Sequence, residues 1–293
     1  MVATLVSLST YFCSFHNTFI SSCTGSYSGS ALANYVFAVW AWHILHGQPW
    51  SMDEAQVKAA LNGATNLAPP SSKCPKREPF TVSLIRMLFS KLDFSDPIDV
   101  SVRACLTISC FTLAQGGELT VPSIDGFNST IHIKCSDVCD KTDCHGHQVT
   151  VFRIPHTKCS KDGEDVYCAA QPHPVNPISE LNNQLTVNDP PVNSHLFAYH
   201  HSHGHRPLTK CAFMNRINTV ATSLSLTSLK GHGVCIGGTL EYLLYGVPFD
   251  VMKSMGRWSS KAFTLYLRKH AVIMAPYLRG SPVVWDHTAQ DTY

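Results

Sequence analysis

Late in the chain, Gly256-Arg-Trp-Ser-Ser-Lys-Ala-Phe-Thr-Leu-Tyr266-Leu-Arg-Lys-His270 sets a phenol directly before three cationic or titratable side chains, on a stretch with helical character. Alone, a helical tyrosine is most often an aromatic core position. Two other runs carry metal-ligating side chains. Cys135, Cys139, Cys144, His145 and His147 offer the thiolates and imidazoles that can close a tetrahedral zinc site. They lack the close C-x-x-C pairing usual in structural zinc sites, so a polar insertion between strands is the simpler reading, and no metal is expected. His195, His200, His201, His203 and His205 could take up a transition metal adventitiously, and read more simply as a flexible polar loop.

Three further segments precede the tyrosine: Ala114-Gln-Gly-Gly-Glu118-Leu-Thr-Val-Pro-Ser123, Ile154-Pro-His-Thr-Lys158, and Leu229-Lys-Gly-His232-Gly-Val-Cys-Ile-Gly-Gly-Thr239. In this order, ending in Tyr266, the set resembles the tyrosine recombinase (phage integrase) family, in particular the transposon-derived integrase-like proteins of mushroom-forming fungi. The resemblance runs from about Tyr27 to Leu278. It includes Asn34-Tyr, Ala41-Trp-His-Ile-Leu-His-Gly47, Lys76-Arg-Glu-Pro79, Gly237-Gly-Thr-Leu-Glu-Tyr-Leu-Leu-Tyr-Gly-Val-Pro248 and Arg268-Lys-His-Ala271. It implies a mainly α fold with a small three-stranded antiparallel sheet (α+β). A helical core-binding domain would precede the DNA breaking-rejoining catalytic domain, the two closing on duplex DNA as a clamp.

The resemblance also implies roles. Tyr266 matches the nucleophile, whose oxygen attacks a backbone phosphate in line, expels a 5′ hydroxyl and leaves a 3′-phosphotyrosyl link without a cofactor. His232 would serve acid/base work or phosphate contact, and Lys158 would protonate the leaving oxygen. Trp258 would donate its indole N–H to phosphate, and Glu118 would support the site from behind. Each has a plainer explanation: a solvated turn lysine, a packing tryptophan, a turn-ending histidine, a surface glutamate. Their joint occurrence in order favours the site for Tyr266, His232 and Trp258 above all.

Two positions depart from the pattern. The family's first catalytic arginine lies three residues before the glutamate, where this chain has Gln115; the second lies three after the histidine, where it has Cys235. Arginine brings a permanent charge and a planar fork for two phosphate oxygens, while glutamine keeps only a neutral donor and cysteine neither charge nor fork. The expectation is a homologue with impaired strand exchange. Alternatives are a non-catalytic DNA-binding or interaction module and, further off, an unrelated zinc-binding helical protein.

The elements that must carry these residues follow from periodicity and punctuation. Apolar positions at Leu32, Tyr35, Val36, Val39 and Trp40 predict a helix capped by Ser30. A second should span Met52 to Asn62, opened by a Ser51/Glu54 capping box and stopped by Gly63. Four prolines between Ala68 and Pro79 disfavour regular structure, giving a helical domain over 1–70, a linker over 71–79, the catalytic domain over 80–280 and a tail over 281–293. The resemblance begins partway into the family's first domain, which implies missing leading helices.

After the linker, helices are expected around Thr81–Leu92 and Pro97–Leu113, and near Ile178–Leu185. Strands are expected over Thr130–Cys135, Gln148–Pro155 and Glu164–Ala169, and four or five helices between Leu208 and Leu278.

Across the whole 293 residues, 44% are hydrophobic and 14% charged, against a usual charged share of about 25%, which argues against extensive disorder. The net charge of +2 announces no nucleic-acid partner, but its distribution is uneven. Ten of the 22 Lys and Arg fall between Arg206 and Gly280, alongside only two acids. Lys210, Arg216, Lys230, Lys253, Arg257, Lys261, Arg268 and Lys269 are therefore candidates for phosphate contact along double-stranded DNA. A homo-oligomer on DNA fits the same picture; a small-molecule substrate does not.

Twelve scattered cysteines suggest reduced thiols rather than a disulfide framework. The apolar run from Ala31 to Leu45 is short of the roughly 20 residues that span a bilayer. No basic residue precedes Lys58, which argues against a secretory signal, and a nuclear location is expected.

Overall fold

The computed structural model describes residues 18–50, 52–72, 77–157, 160–258 and 273–275. It divides into two compact units, Met1–Lys76 and Arg77–Tyr293.

The first unit holds helical residues at 18–23 and two helices, α1 (Gly29–Leu45) and α2 (Glu54–Asn66). Ile20, Leu32, Val36 and Ala64 form its core. The caps differ from those expected. Ser28, not Ser30, opens α1 by accepting the Ala31 amide, and Asp53 opens α2 by accepting the Gln56 amide. Gly63 lies inside α2, which runs on to Asn66. Of the expected apolar stripe on α1, Leu32 and Val36 are buried whereas Tyr35 and Trp40 are exposed.

The second unit begins with α3 (Val82–Phe89), capped by Thr81, and α4 (Pro97–Thr112), which Asp96 caps with Pro97 at its first turn. Almost every residue of α4 is buried, so this helix is the axis around which the unit is built. Helix α5 (Pro177–Asn188) packs on it through a bidentate pair between Arg103 and Glu180, with N–O distances of 2.9 and 2.7 Å. The Arg103 guanidinium also sits 4.0 Å above the Phe89 ring, so this buried charge is both paired and stacked.

The three-stranded antiparallel sheet runs β1 (Val138–Thr142), β2 (Gln148–Ile154) and β3 (Glu164–Cys168), with β2 central. Its first strand is not the expected Thr130–Cys135. That segment is tied into turns by Asn128, whose side chain accepts from Thr130, and by Asp137, which accepts the Lys134 amide. The true strand Val-Cys-Asp-Lys-Thr is mostly exposed and shows no alternation of apolar residues, so periodicity could not announce it.

A two-stranded hairpin, β4 (Tyr199–His201) and β5 (Gly204–Arg206), occupies the histidine-rich segment read as a flexible loop. Helices α6 (Lys210–Ser223), α7 (His232–Leu244) and α8 (Phe249–Met255) follow. The observed architecture is mainly α with a small three-stranded antiparallel sheet, and no helix among the described residues is long and apolar enough to cross a membrane.

Helix α7 is held unusually close to its neighbours. A Cβ on Gly237 would fall 2.0 Å from the Phe80 carbonyl oxygen, and one on Gly238 would fall 2.0 Å from that of Cys110. Only glycine permits that approach, so the Gly-Gly pair is a packing device that sets Cys235 against the end of α4.

Candidate functional site

The end of α4 shapes the first wall. Leu113 adopts a left-handed conformation (φ 55°), which turns the chain off the helix, and Ser109 holds the Ala114 carbonyl at 2.9 Å. Beyond this turn, Glu118 folds back so that its Oε2 accepts the Gln115 amide at 2.9 Å, while the Gln115 carbonyl accepts the Glu118 amide at 2.7 Å. Gln115 itself is exposed; the Glu118 side chain is 10% exposed.

Helix α7 supplies the second wall. His232 is its first residue and half-buried, and Cys235 lies one turn on along the same face. The Cys235 thiol is 5% exposed and sits 3.5 Å from the Ala114 carbonyl oxygen, to which it donates. Burial pushes this thiol up to about 12, the Glu118 charge adds to the shift and the Arg257 charge opposes it. The two positions at which the resemblance expects arginines are thus adjacent in space.

The third component is Arg257, in the turn after α8. Its backbone is left-handed (φ 56°), a strained state for a residue with a Cβ. Its Nη2 donates to Glu118 Oε2 at 2.7 Å and its Nη1 to Glu164 Oε2 at 3.3 Å. Glu164, the first residue of β3, also accepts the Thr157 hydroxyl at 2.6 Å. Thr157 stands in the β2–β3 turn, which Gly163 closes with a φ of 77° and a Cβ position 2.3 Å from the Ile154 carbonyl oxygen. One guanidinium, 13% exposed, therefore links the Gln115–Glu118 loop, the β2–β3 turn and the turn leading to Trp258.

Trp258 is half-buried and packs against a cluster containing Leu113, Leu240, Leu243, Met252 and Ile273, with its ring over Gly256. That cluster includes Leu113, the residue that turns the chain toward Gln115. Lys158 and Tyr266 lie outside the described residues, as do Lys261, Arg268 and Lys269.

The other cations differ sharply in setting. Lys210 and Lys230 are exposed and Lys253 is half-buried. Arg216 instead grips Asp99, buried to 1%, through both carboxylate oxygens, one at 2.7 Å. Arg257 is likewise committed to carboxylates.

Among the described residues no group of three or more His, Cys, Asp or Glu could hold a metal ion. In the cysteine-rich segment Asp143 organises the hairpin turn by accepting the amides of His145 and His147, while Cys139 and Cys144 are exposed thiols. His195 lies in the connection between α5 and β4 but is buried. It packs between Phe127 and Phe197, and burial pushes its imidazole down to about 3, with the His132 charge adding to the shift.

Sequence reasoning missed Glu164 and Thr157 as members of this site and assigned Arg257 to phosphate. The available signal was the placement of Arg257 directly before Trp258; its carboxylate partner Glu118 is 139 residues away in sequence.

No family model matches the chain, and no curated protein matches it either. Among solved structures it is similar to the crystal structure of XerA recombinase, at 13% identity and a TM-score of 0.47, over 96% of this chain and 93% of that one. It is also similar to the FLP recombinase–Holliday junction complex I, at 8% identity and a TM-score of 0.42, over 69% of this chain and 47% of that one. A Flpe–Holliday junction complex gives 11% identity and a TM-score of 0.43, over 82% and 61%.

Proposed function

We propose that the chain is a DNA-binding tyrosine recombinase homologue of mobile-element origin in which strand breakage is impaired. The observation that carries this reading is a convergence. The Gln115–Glu118 loop, the turn before Trp258 and the β2–β3 turn meet around one guanidinium, and the Cys235 face of α7 closes on the Ala114 carbonyl at the start of that loop, although these segments are spread along the chain from 115 to 258. Those segments lie within the runs that the sequence resemblance names.

On this reading a phosphodiester lies against the wall formed by α7 and the Trp258 turn. The Tyr266 oxygen loses its proton to a nearby base and bonds to phosphorus as the bond to the 5′ oxygen breaks. Lys158 gives the leaving oxygen its proton, and attack of a 5′ hydroxyl on the phosphotyrosine reverses these steps. The developing negative charge on the non-bridging oxygens needs fixed donors, and here the chain is poor. Cys235 is a neutral thiol facing a carbonyl, and Gln115 has no charge. Losing one such donor typically costs about 2.7 to 4 kcal/mol of transition-state stabilisation, and losing two costs more, though not additively.

One observation favours a second reading, a DNA-binding or interaction module with no reaction to perform. Cys235 is sealed against the Ala114 carbonyl, so the wall is closed and fully packed without a fork at that position.

The recombinase reading requires duplex binding through phosphate neutralisation, measurable as affinity against salt by fluorescence anisotropy. The expected logarithmic slope is about −0.9 per phosphate contact, and removing an exposed contact such as Lys210 or Lys230 should flatten it by about 1. An affinity indifferent to salt contradicts the proposal.

A further inference from the structure

We infer that Arg257 is the positioning residue of this site, the cation that fixes three separate segments against one another and offsets the two carboxylates among them. For what the site acts on, the inference rests on the recombinase reading above.

Glu118 and Glu164 place two negative charges where a phosphodiester is to lie, and Cys235 and Gln115 return none of that charge. Arg257 pairs with both, at 2.7 and 3.3 Å. Without it, two carboxylates, one 10% and the other 26% exposed, would face each other and any incoming phosphate. Arg257 also acts at a distance through its partners. Glu118 holds the Gln115 amide, and Glu164 holds the Thr157 hydroxyl beside Lys158. The planar fork matters because it reaches two carboxylates at once, which a lysine ammonium on a flexible stem does less well. Its left-handed backbone is the strained conformation expected where surrounding bonds dictate the geometry. The guanidinium that the site lacks at 115 and 235 is thus supplied from position 257, committed to carboxylates rather than aimed at phosphate.

The test compares the full chain with Arg257→Ala, Arg257→Lys and the double variant Arg257→Ala/Glu164→Gln, measuring duplex affinity, thermal melting and amide hydrogen exchange at Gln115. Arg257→Ala should weaken duplex binding about tenfold, because it leaves two carboxylates without their cation beside an incoming phosphate. Arg257→Lys should fall between the two. The double variant should recover part of the loss, because the added Glu164→Gln change leaves one uncompensated charge fewer; a merely structural arginine would lower the melting temperature with no such recovery. Equal duplex binding by Arg257→Ala and the natural chain, or no recovery in the double variant, overturns the inference. Should Arg257→Ala melt below the assay temperature, Arg257→Lys with and without Glu164→Gln makes the same comparison. If the natural chain binds no duplex, the recombinase reading fails by itself and hydrogen exchange at Gln115 decides the role of Arg257. Faster amide hydrogen exchange at Gln115, whose N–H is held by Glu118, in folded Arg257→Ala supports it, and an unchanged rate overturns it.

Discussion

The thiol of Cys235 lies 3.5 Å from the carbonyl oxygen of Ala114, the residue before Gln115. Through that contact positions 115 and 235, far apart in sequence, become one local feature, a neutral wall where the sequence resemblance implies a pair of forks. The wall is built by close helix packing at Gly237 and Gly238 and by the left-handed turn at Leu113.

The packing device has a direct consequence. Gly238→Ala puts a methyl group within van der Waals overlap of the Cys110 carbonyl, where the buried helix α4 has little room to move. The expected loss is about 1–3 kcal/mol, read as a fall in melting temperature of about 2–4 °C per kcal/mol for a domain of this size.

Arg216 should behave as a structural residue. Arg216→Ala leaves Asp99, buried to 1%, with the Asp93 amide but without its cation. Loss of one partner of a buried pair costs up to about 3–5 kcal/mol, and the partial exposure of Arg216 places this case toward the low end. Lys210→Ala and Lys230→Ala, at exposed positions, should change urea midpoints little and duplex affinity more.

Much of the second unit was legible because its signals are local. Asp96-Pro97 announces the start of α4, the β-branched run of β2 announces that strand, and the alternation of buried Val166 and Cys168 about exposed Tyr167 marks β3. What the sequence hid depends on contacts made far along the chain. Arg216 and Asp99 are 117 residues apart, Arg257 and Glu118 are 139 apart, and no spacing rule distinguishes such a structural arginine from a phosphate-binding one. His195 was obscured by its polar neighbours, although its own ring is packed among phenylalanines. Ser28 and Ser30 both suit a helix start, and local sequence does not separate the two.

The buried thiols set an alkaline limit. Burial raises Cys105, Cys110, Cys168 and Cys235, so the folded chain keeps protons that the unfolded chain releases above about pH 8.5. Their contribution to stability is fully present below that pH and is lost as pH rises through the window up to about 12. Urea midpoints should fall progressively above about pH 9, and at about pH 8 iodoacetamide should label exposed Cys139, Cys144 and Cys211 well before Cys235.

His195 sets the opposite limit. Its imidazole is lowered to about 3, so the unfolded chain binds a proton there before the folded one does, and stability drops as pH falls from about 6.5 toward 3. Stability profiles of the natural chain and His195→Leu over that range should differ, with the shallower acid slope in the variant.

Covalent capture on a nicked suicide duplex, resolved on a denaturing gel, tests the account at its centre. A tyrosine site without its forks should give the natural chain only trace adduct. Gln115→Arg, at an exposed position where folding is little disturbed, should raise the yield, and Tyr266→Phe should abolish it. Efficient capture by the natural chain through Tyr266, or an adduct that persists in Tyr266→Phe, would contradict the account.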